Sequence, residues 1–529
     1  MAFKIIVCDH IHSAGLEFLK KEKDIEMMDL SNLPKDELLT KLKDADVAIT
    51  RSSTEVGEKF LSAVSNLKAI VRAGVGVDNV DIEGCSKKGI IVMNVPTANT
   101  IAAVELTMAH IINSVRNFPG ANHQLKIERK WKREDWYGTE LKDKKLGVIG
   151  FGNIGSRVAK RAKAFEMDII AYDPYIKESV MIDAGVKCAK SLDEILKCDI
   201  ITIHTPKNNE TKNIITKAQI DKMKDGVILI NVARGGLYNE DDLISAAKSG
   251  KIRWLGVDVF NKEPAVDNPL LDLPNIYVTP HIGANTLESQ EKIALEAASA
   301  AVESARGSSY PNALNLPIKE SELPHFMNPY LELAQKLGFF VSQIAKDAIR
   351  SIKITTSGTI APYAESLSAF ATLGILKHSL GDSVNYVNTA FVAKERGINV
   401  EVATKESDSS IYKNLLTIKI TSAKGEEIAV SGCVFDEDKL RIVEINGFAM
   451  DIPPQGKIVL FKNTDVPGVI GNIGKIMEQN NINIADFRLG RNDKGEALAM
   501  IIVDDDISDS TLGELRKIKA ALSVSYVVI

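Results

Sequence analysis

Residues 144–173, KKLGVIGFGNIGSRVAKRAKAFEMDIIAYD, constrain the fold of this chain more than any other stretch. A short apolar run, Leu146 to Ile149, predicts a buried parallel strand. The chain must then turn sharply through Gly150, Gly152 and Gly155 into a helical pattern carrying Val158, Ala159 and Ala162. A second predicted strand, Asp168 to Tyr172, ends beside Asp173. The first glycine permits a tight turn, the second lets the backbone approach a pyrophosphate, and the third lets helix and strand pack closely. The free N–H groups at the start of the helix would face the phosphates. Asp173 stands at the spacing of an acid that hydrogen-bonds a ribose 2′-OH. Its carboxylate would repel a 2′-phosphate, and Pro174 and Tyr175 follow it where an arginine would be needed. The site is therefore expected to take NAD rather than NADP.

At 529 residues the chain is too long for a single core and predicts three or four domains. A hydrophobic fraction of 45%, a charged fraction of 26% and a net charge of −5 give no basis for a nucleic-acid or membrane partner. The five cysteines, Cys8, Cys85, Cys188, Cys198 and Cys433, are scattered and never in C-x-x-C. They read as reduced, packed thiols, neither a disulfide frame nor a metal site. MAFKIIVCDH reads as a first strand and lacks the pattern of a signal peptide. The most apolar helical stretch, 101–115, is interrupted by Glu105, His110 and Asn113, too polar for a membrane span. A cytoplasmic location is expected.

Taken in order, residues 3–93 alternate apolar strands (FKIIVCD, ADVAIT, LKAIVRAG, GIIVMN) with helical patterns, a small doubly wound α/β unit. Arg51 and Arg72 fall at its strand ends, the edge where open α/β sheets bind ligands. Guanidiniums there suit an anion, although either one alone could be a solvated loop charge. Residues 100–127 predict one long helix, apolar nearly all round in its first half and so buried between layers. WKREDWYG (131–138) reads as a protruding loop or a dimer contact.

Residues 144–284 predict six strands (146–149, 168–172, 199–203, 227–231, 255–258, 276–279) with helical crossovers, the Rossmann pattern. A helix is expected over about 286–304, then a linker at 305–317. Residues 318–450 hold two helical patterns, 326–349 and 362–379, and several alternating strands. After DIPPQG (451–456) the tail reads as a βαββαβ unit of ferredoxin-like type.

Three side chains fall on successive strand ends of the cofactor sheet: Arg234 in NVARGG, Glu263 in NKEP and His281 in TPHIGA. Oxidising a 2-hydroxy acid needs a cation for its carboxylate, a base for the hydroxyl proton, and a group that holds the base in one tautomer. Arg234, His281 and Glu263 fit those roles in turn. Each could instead be structural, Arg234 as a helix cap, Glu263 as a linker charge and His281 as a packed loop residue. The rival bases are His204, which reads as part of a cofactor loop, and His110, which reads as a core histidine. His10 and His12 form an isolated H-x-H without further metal ligands in view.

GFGNIG, NVARGG, the glutamate of KEP and the histidine of PHIGA resemble the D-isomer-specific 2-hydroxyacid dehydrogenase family. RAGVGVDN, the aromatic loop and the tail narrow the resemblance to its long-type D-3-phosphoglycerate dehydrogenases. The resemblance implies two doubly wound, Rossmann-like parallel-sheet domains, an α+β intervening regulatory domain and a ferredoxin-like ACT domain. It implies a substrate-binding domain of 1–98 and 285–313, an NAD-binding domain of 99–284, the intervening domain at 318–450 and the ACT domain at 456–529. Arg234, Glu263 and His281 would be catalytic. Val75, Gly150, Gly152, Asn153, Ile154, Gly155, Asp173 and Thr205 would hold NAD, joined by Val232, Ala233, Arg234, Asp258 and His281, Ile282, Gly283 and Ala284.

The same resemblance places Arg51, Arg72, Asn99, Arg234 and His281 on the substrate, with Arg133 reaching across a dimer. The implied activity is NAD-dependent oxidation of 3-phosphoglycerate by a homo-oligomer, a dimer or tetramer. L-Serine would be an effector at Asn463, Asp465 and Asn483, where some relatives carry His and Asn at the first two positions. Two rivals stand beside this reading, a glyoxylate or hydroxypyruvate reductase of the same family and a NAD-sensing corepressor-like protein.

Overall fold

The computed structural model describes residues 2–317, 323–405 and 411–529. Its first sheet is wholly parallel and made of β1 (Phe3–Val7), β2 (Ile25–Asp29), β3 (Val47–Thr50), β4 (Ala69–Arg72) and β5 (Ile91–Asn94). The order β2-β1-β3-β4-β5 reverses direction at β1, as in a doubly wound fold. β2 escapes a reading of apolar runs because it is an edge strand with the mixed sequence IEMMD.

The second sheet is also parallel, with β6 (Lys145–Ile149), β7 (Asp168–Tyr172), β8 (Lys187–Cys188), β9 (Ile200–Ile203), β10 (Val227–Asn231), β11 (Ile252–Val257) and β12 (Ile276–Val278). Its order is β12-β11-β10-β9-β6-β7-β8, so the six expected strands form and a two-residue edge strand, β8, is added. β9 and β10 are buried at every position, which is why they read as unbroken apolar runs.

The single helix expected over 100–127 is two helices, Thr100–Arg116 and Phe118–Lys126. Asn117 between them is left-handed (φ 51°). Pro119 in the first turn of the second helix has no N–H to continue the first. The first helix packs on β10, β11 and β12. None of the nine residues of the second is buried. The helix Leu287–Arg306 returns to β1, β3 and β4, placing Ile293, Ala297 and Ala301 in the core of the first sheet.

The third sheet contains β13 (Ile349–Ser357), β14 (Asn399–Lys405), β15 (Leu415–Ser422), β16 (Glu427–Phe435), β17 (Lys439–Ile445) and β18 (Phe448–Ile452). Its order is β14-β13-β15-β16-β17-β18, with only β13 and β14 parallel. The helices Asn328–Ile344 and Ala364–Leu380 pack on it. The helical pattern expected to run to residue 349 stops at Ile344, because Ala345 is extended and the chain turns into β13. The expected start of this unit, residue 318, lies outside the described residues.

The tail forms β19 (Lys457–Thr464), β20 (Ile484–Arg491), β21 (Glu496–Val503) and β22 (Ala521–Val528), antiparallel in the order β20-β21-β19-β22. Its helices are Val469–Gln479 and Asp509–Arg516, so the βαββαβ reading holds element by element. Alternation along β19 serves two interiors. Val459 and Phe461 pack against the tail's own helices, whereas Ile458 and Leu460 join Leu333, Phe340 and Met450 of the preceding unit.

Candidate active site

Loops from both parallel sheets line one cleft of about 380 Å³. The loop after β4 contributes Val75 to Asp78, and the start of the first long helix contributes Asn99 and Thr100. From the second sheet come Asn153 and Ile154, His204 to Lys207, Val232 to Arg234, Asp258, His281, Gly283 and Ala284. All are carboxyl ends of strands, the edge where this topology leaves room for a ligand.

The glycine turn after β6 is shaped for a dinucleotide. Gly150 is left-handed (φ 89°), and a Cβ on it would lie 2.8 Å from the His204 carbonyl. A Cβ on Gly155 would meet the Gly150 carbonyl at 2.0 Å, so helix and strand close only around a glycine. A Cβ on Gly152 would meet nothing within 4 Å, so that side of the turn is open. Asp173 is fixed beside the turn, accepting from Phe151 N at 2.8 Å and Tyr175 N at 2.9 Å. Farther along, Thr205 Oγ1 and Asn99 Oδ1 are buried with no partner in the protein, which suits side chains awaiting a polar ligand.

At the other end of the cleft, β10 delivers Arg234. Asn231 Nδ2 donates to the Arg234 carbonyl (2.8 Å) and Asn231 Oδ1 accepts from Ala233 N (3.0 Å), folding the strand end into a tight turn. A Cβ on Gly235 would strike the Phe260 carbonyl at 1.9 Å, so the next loop can cross here only over a glycine. Arg234 Nε lies 3.3 Å from Asp78 Oδ2.

His281 Nδ1 and Glu263 Oε2 are 2.7 Å apart, and Glu263 Oε1 accepts from Phe260 N at 3.0 Å. Burial raises the Glu263 pKa, but these hydrogen bonds more than offset it, and the carboxyl titrates below its ordinary range. A carboxylate can only accept, so Nδ1 carries the proton and Nε2 of the neutral ring is the free base. His281 itself is left-handed (φ 53°), a sparse conformation for a non-glycine residue and one that clusters at functional sites.

Arg234 stands in the cleft wall, whereas Arg51 and Arg72 are not among the cleft residues. Arg72 is pushed down to about 10, first by burial and then by repulsion from Arg234 and Arg51. Its Nε is buried without a partner. Arg51 Nη1 donates to the His10 carbonyl at 2.9 Å. Arg72 therefore lies in the field of two further guanidiniums, a grouping of charge that suits an anion.

The other expected residues fall as follows. Ile282 is set behind the cleft wall, with its N–H on Asp258 Oδ1 at 2.8 Å. Arg133 is exposed on a 3₁₀ turn and is not among the cleft residues. His204, the rival base, is held neutral by burial, its pKa pushed down to about 3, with Nε2 3.0 Å from Thr202 Oγ1. His12 caps the helix Ser13–Lys21, its Nδ1 accepting from Ala14 N at 3.3 Å. Asn463 and Asp465 line a separate cavity of about 350 Å³ in the tail, with Asn463 Oδ1 buried and unpartnered. Asn483 is not among the residues lining that cavity and donates instead to Asp504 Oδ2 at 2.6 Å.

Sequence reasoning missed Asp78, Pro96 and Lys207 in the cleft wall. Asp78 sits in the same GVGVDN loop that follows Arg72, so a carboxylate next to an arginine-lined edge was the available signal.

Residues 108–283 match the family model described as "D-isomer specific 2-hydroxyacid dehydrogenase, NAD binding domain". Residues 326–446 match the D-3-phosphoglycerate dehydrogenase intervening domain, and 457–520 the ACT domain. The D-3-phosphoglycerate dehydrogenase of Bacillus subtilis is 38% identical over 529 residues, 99% of either chain. The chain belongs to the D-3-phosphoglycerate dehydrogenase family. The relative from Methanocaldococcus jannaschii, also 38% identical, is covered to 99% as well. Among solved structures, D-lactate dehydrogenase from Aquifex aeolicus, complexed with NAD and lactic acid, is 32% identical with a TM-score of 0.51, over 58% of this chain and 96% of that one. A glyoxylate reductase is 26% identical with a TM-score of 0.54, over 59% and 98%. The D-3-phosphoglycerate dehydrogenase family thus accounts for the whole chain, and the cofactor of its second sheet is NAD.

Proposed function

We infer that the protein is an NAD-dependent oxidoreductase that converts 3-phospho-D-glycerate to 3-phosphonooxypyruvate, the entry step to L-serine. The observation that carries this reading is Arg234 in the cleft wall near the His281–Glu263 pair, with Arg72 lying in the field of both Arg234 and Arg51. A phosphorylated hydroxy acid brings a carboxylate and a phosphate, enough negative charge for all three.

Arg234 grips the carboxylate through its planar fork. Arg51 and Arg72 take the phosphate side, and the unpartnered carbonyl oxygen of Asn99 is left to accept from a hydroxyl of the bound substrate. His281 Nε2 accepts the hydroxyl proton, while Glu263 keeps the ring in that tautomer and stabilises the imidazolium that forms. NAD, when bound, accepts the hydride from C2. Asp173 would hold its ribose, the glycine turn its pyrophosphate, and the loops carrying Thr205, Val232, Ala233, Asp258 and Ile282 to Ala284 its nicotinamide end.

We assign residues 1–98 and 285–313 to the substrate domain, 99–284 to the NAD domain, 318–450 to the intervening domain and 456–529 to the ACT domain. The protein is a homo-oligomer, a dimer or tetramer, in this reading: Phe118, Leu125, Ile127, Trp131 and Tyr137 are all exposed along the segment from the helix Phe118–Lys126 to the 3₁₀ turn Arg133–Trp136. Arg133 would reach a neighbouring subunit from there. L-Serine is the proposed effector at Asn463 and Asp465, with Asn483 joining where two ACT domains pair. Five unpaired cysteines support a cytoplasmic location. Among the described residues no helix is long and apolar enough to cross a membrane.

The test is NADH formation with 3-phosphoglycerate and with glycerate. Turnover is expected with the phosphate ester and at least tenfold lower kcat/KM without it. Equal use of glycerate would reject the phosphate assignment and favour a glyoxylate or hydroxypyruvate reductase. No turnover of either would favour the corepressor-like alternative.

A further inference from the structure

A partly buried line of hydrogen bonds runs from the helix Thr100–Arg116 to the loop that carries His281. His110 on that helix is 4% exposed, and its Nε2 lies 3.1 Å from Thr279 Oγ1. Thr279 Oγ1 donates to Asp258 Oδ1 at 2.6 Å. The same carboxylate accepts Ile282 N on Oδ1 and Gly283 N on Oδ2, both at 2.8 Å. His281 N closes the loop onto the Asp258 carbonyl at 2.9 Å.

Proton counting fixes the direction of this line. A hydroxyl has one hydrogen, and the carboxylate can only accept, so the Thr279 hydrogen goes to Asp258. The Thr279 oxygen must then accept from His110, which makes His110 the Nε2–H tautomer. Burial keeps that ring neutral, its pKa pushed down to about 4. Gly256 makes room for it, since a Cβ there would stand 3.0 Å from His110 Nδ1.

The loop held at the far end is strained, because His281 occupies the left-handed region (φ 53°) and needs its neighbours to hold it there. We propose that His110 is a positioning residue for the reaction: through Thr279 it locks the rotamer of Asp258, whose carboxylate pins the amides of Ile282 and Gly283 and so keeps His281 facing the cleft. The chemistry is performed by His281; His110 is not among the cleft residues and acts by restricting a loop. The inference rests on the assignment of His281 as the base.

The test compares His110→Phe, His110→Gln, Thr279→Val and Thr279→Ser in the full-length enzyme. Steady-state kinetics with 3-phosphoglycerate and NAD are measured beside hydrogen–deuterium exchange of the segment containing 282 and 283 without ligands. His110→Phe and Thr279→Val are expected to lower kcat by roughly 10- to 100-fold, the range for a slightly misplaced group, with KM for NAD unchanged and faster exchange. The kinetic isotope effect with 2-deuterated substrate should rise in both. Gln keeps an N–H at the position of Nε2 and Ser keeps the hydroxyl, so those two should recover most of the loss.

Wild-type kcat in His110→Phe and Thr279→Val would overturn the proposal, as would faster exchange at full kcat. Should His110→Phe fail to fold, the Thr279 pair decides: loss in Val without recovery in Ser also overturns it. An enzyme inactive on 3-phosphoglycerate would instead remove the functional reading, while ligand-free exchange would still show whether His110 restrains the loop.

Discussion

His281 is fixed from two directions, by Glu263 at Nδ1 and by the Asp258 carbonyl at its backbone N–H. Removing the ring while keeping the backbone separates chemistry from binding. His281→Ala should lower kcat by roughly 10²- to 10⁴-fold, the worth of a positioned general base. NADH affinity by fluorescence titration should stay close to wild type. Full turnover in this variant would remove the base assignment. At this scale the residues that end strands could be read from the chain, because Arg234, Glu263 and His281 each follow an apolar run that fixes where they emerge. The orientation of His110 could not, since it depends on Thr279, 169 positions away.

Among the elements, the glycine turn divides its labour in a way that two alanine variants can separate. Gly155→Ala places a methyl 2.0 Å from the Gly150 carbonyl, a backbone clash that the helix Gly155–Lys163 can relieve only by moving away. It should lower the thermal midpoint and weaken NADH binding together, at a cost of about 1–3 kcal/mol for overpacking. Gly152→Ala adds a methyl to empty space. Stability should be nearly unchanged while NADH binding weakens, because the methyl takes the room meant for the pyrophosphate. A Gly152→Ala variant that binds NADH normally would mean the pyrophosphate lies elsewhere. Buried strands such as β10 were legible because both faces are apolar, and β8 was not, because two residues make no pattern. The break at Asn117 was hidden by an apolar periodicity that continues into the second helix, none of whose residues is buried.

Across the whole molecule, the intervening and ACT units share an interior. Ile458, Leu460, Leu498, Met500 and Val527 pack with Leu333, Leu337, Phe340 and Met450. Gln343 also exchanges hydrogen bonds with the Val528 backbone, at 2.9 and 3.1 Å. A chain ending at residue 453 should therefore bind a hydrophobic-surface dye and melt earlier in its intervening domain, and unchanged melting would mean this packing contributes little. The intervening unit in turn grips the first sheet, where Asn385 Nδ2 donates to the Gly89 carbonyl at 2.8 Å and Val387 enters the core. Linker composition suggests where these units part along the chain, but nothing in local sequence says that one face of β19 belongs to its neighbour.

That divided allegiance of β19 has a mechanical outcome. Neighbouring side chains on one strand answer to different units, so shifting the strand by a single position would turn every oily residue toward the wrong host. Gradual sliding is thereby closed off. The two units are keyed to each other in a single alignment, each owning one face of the same strand.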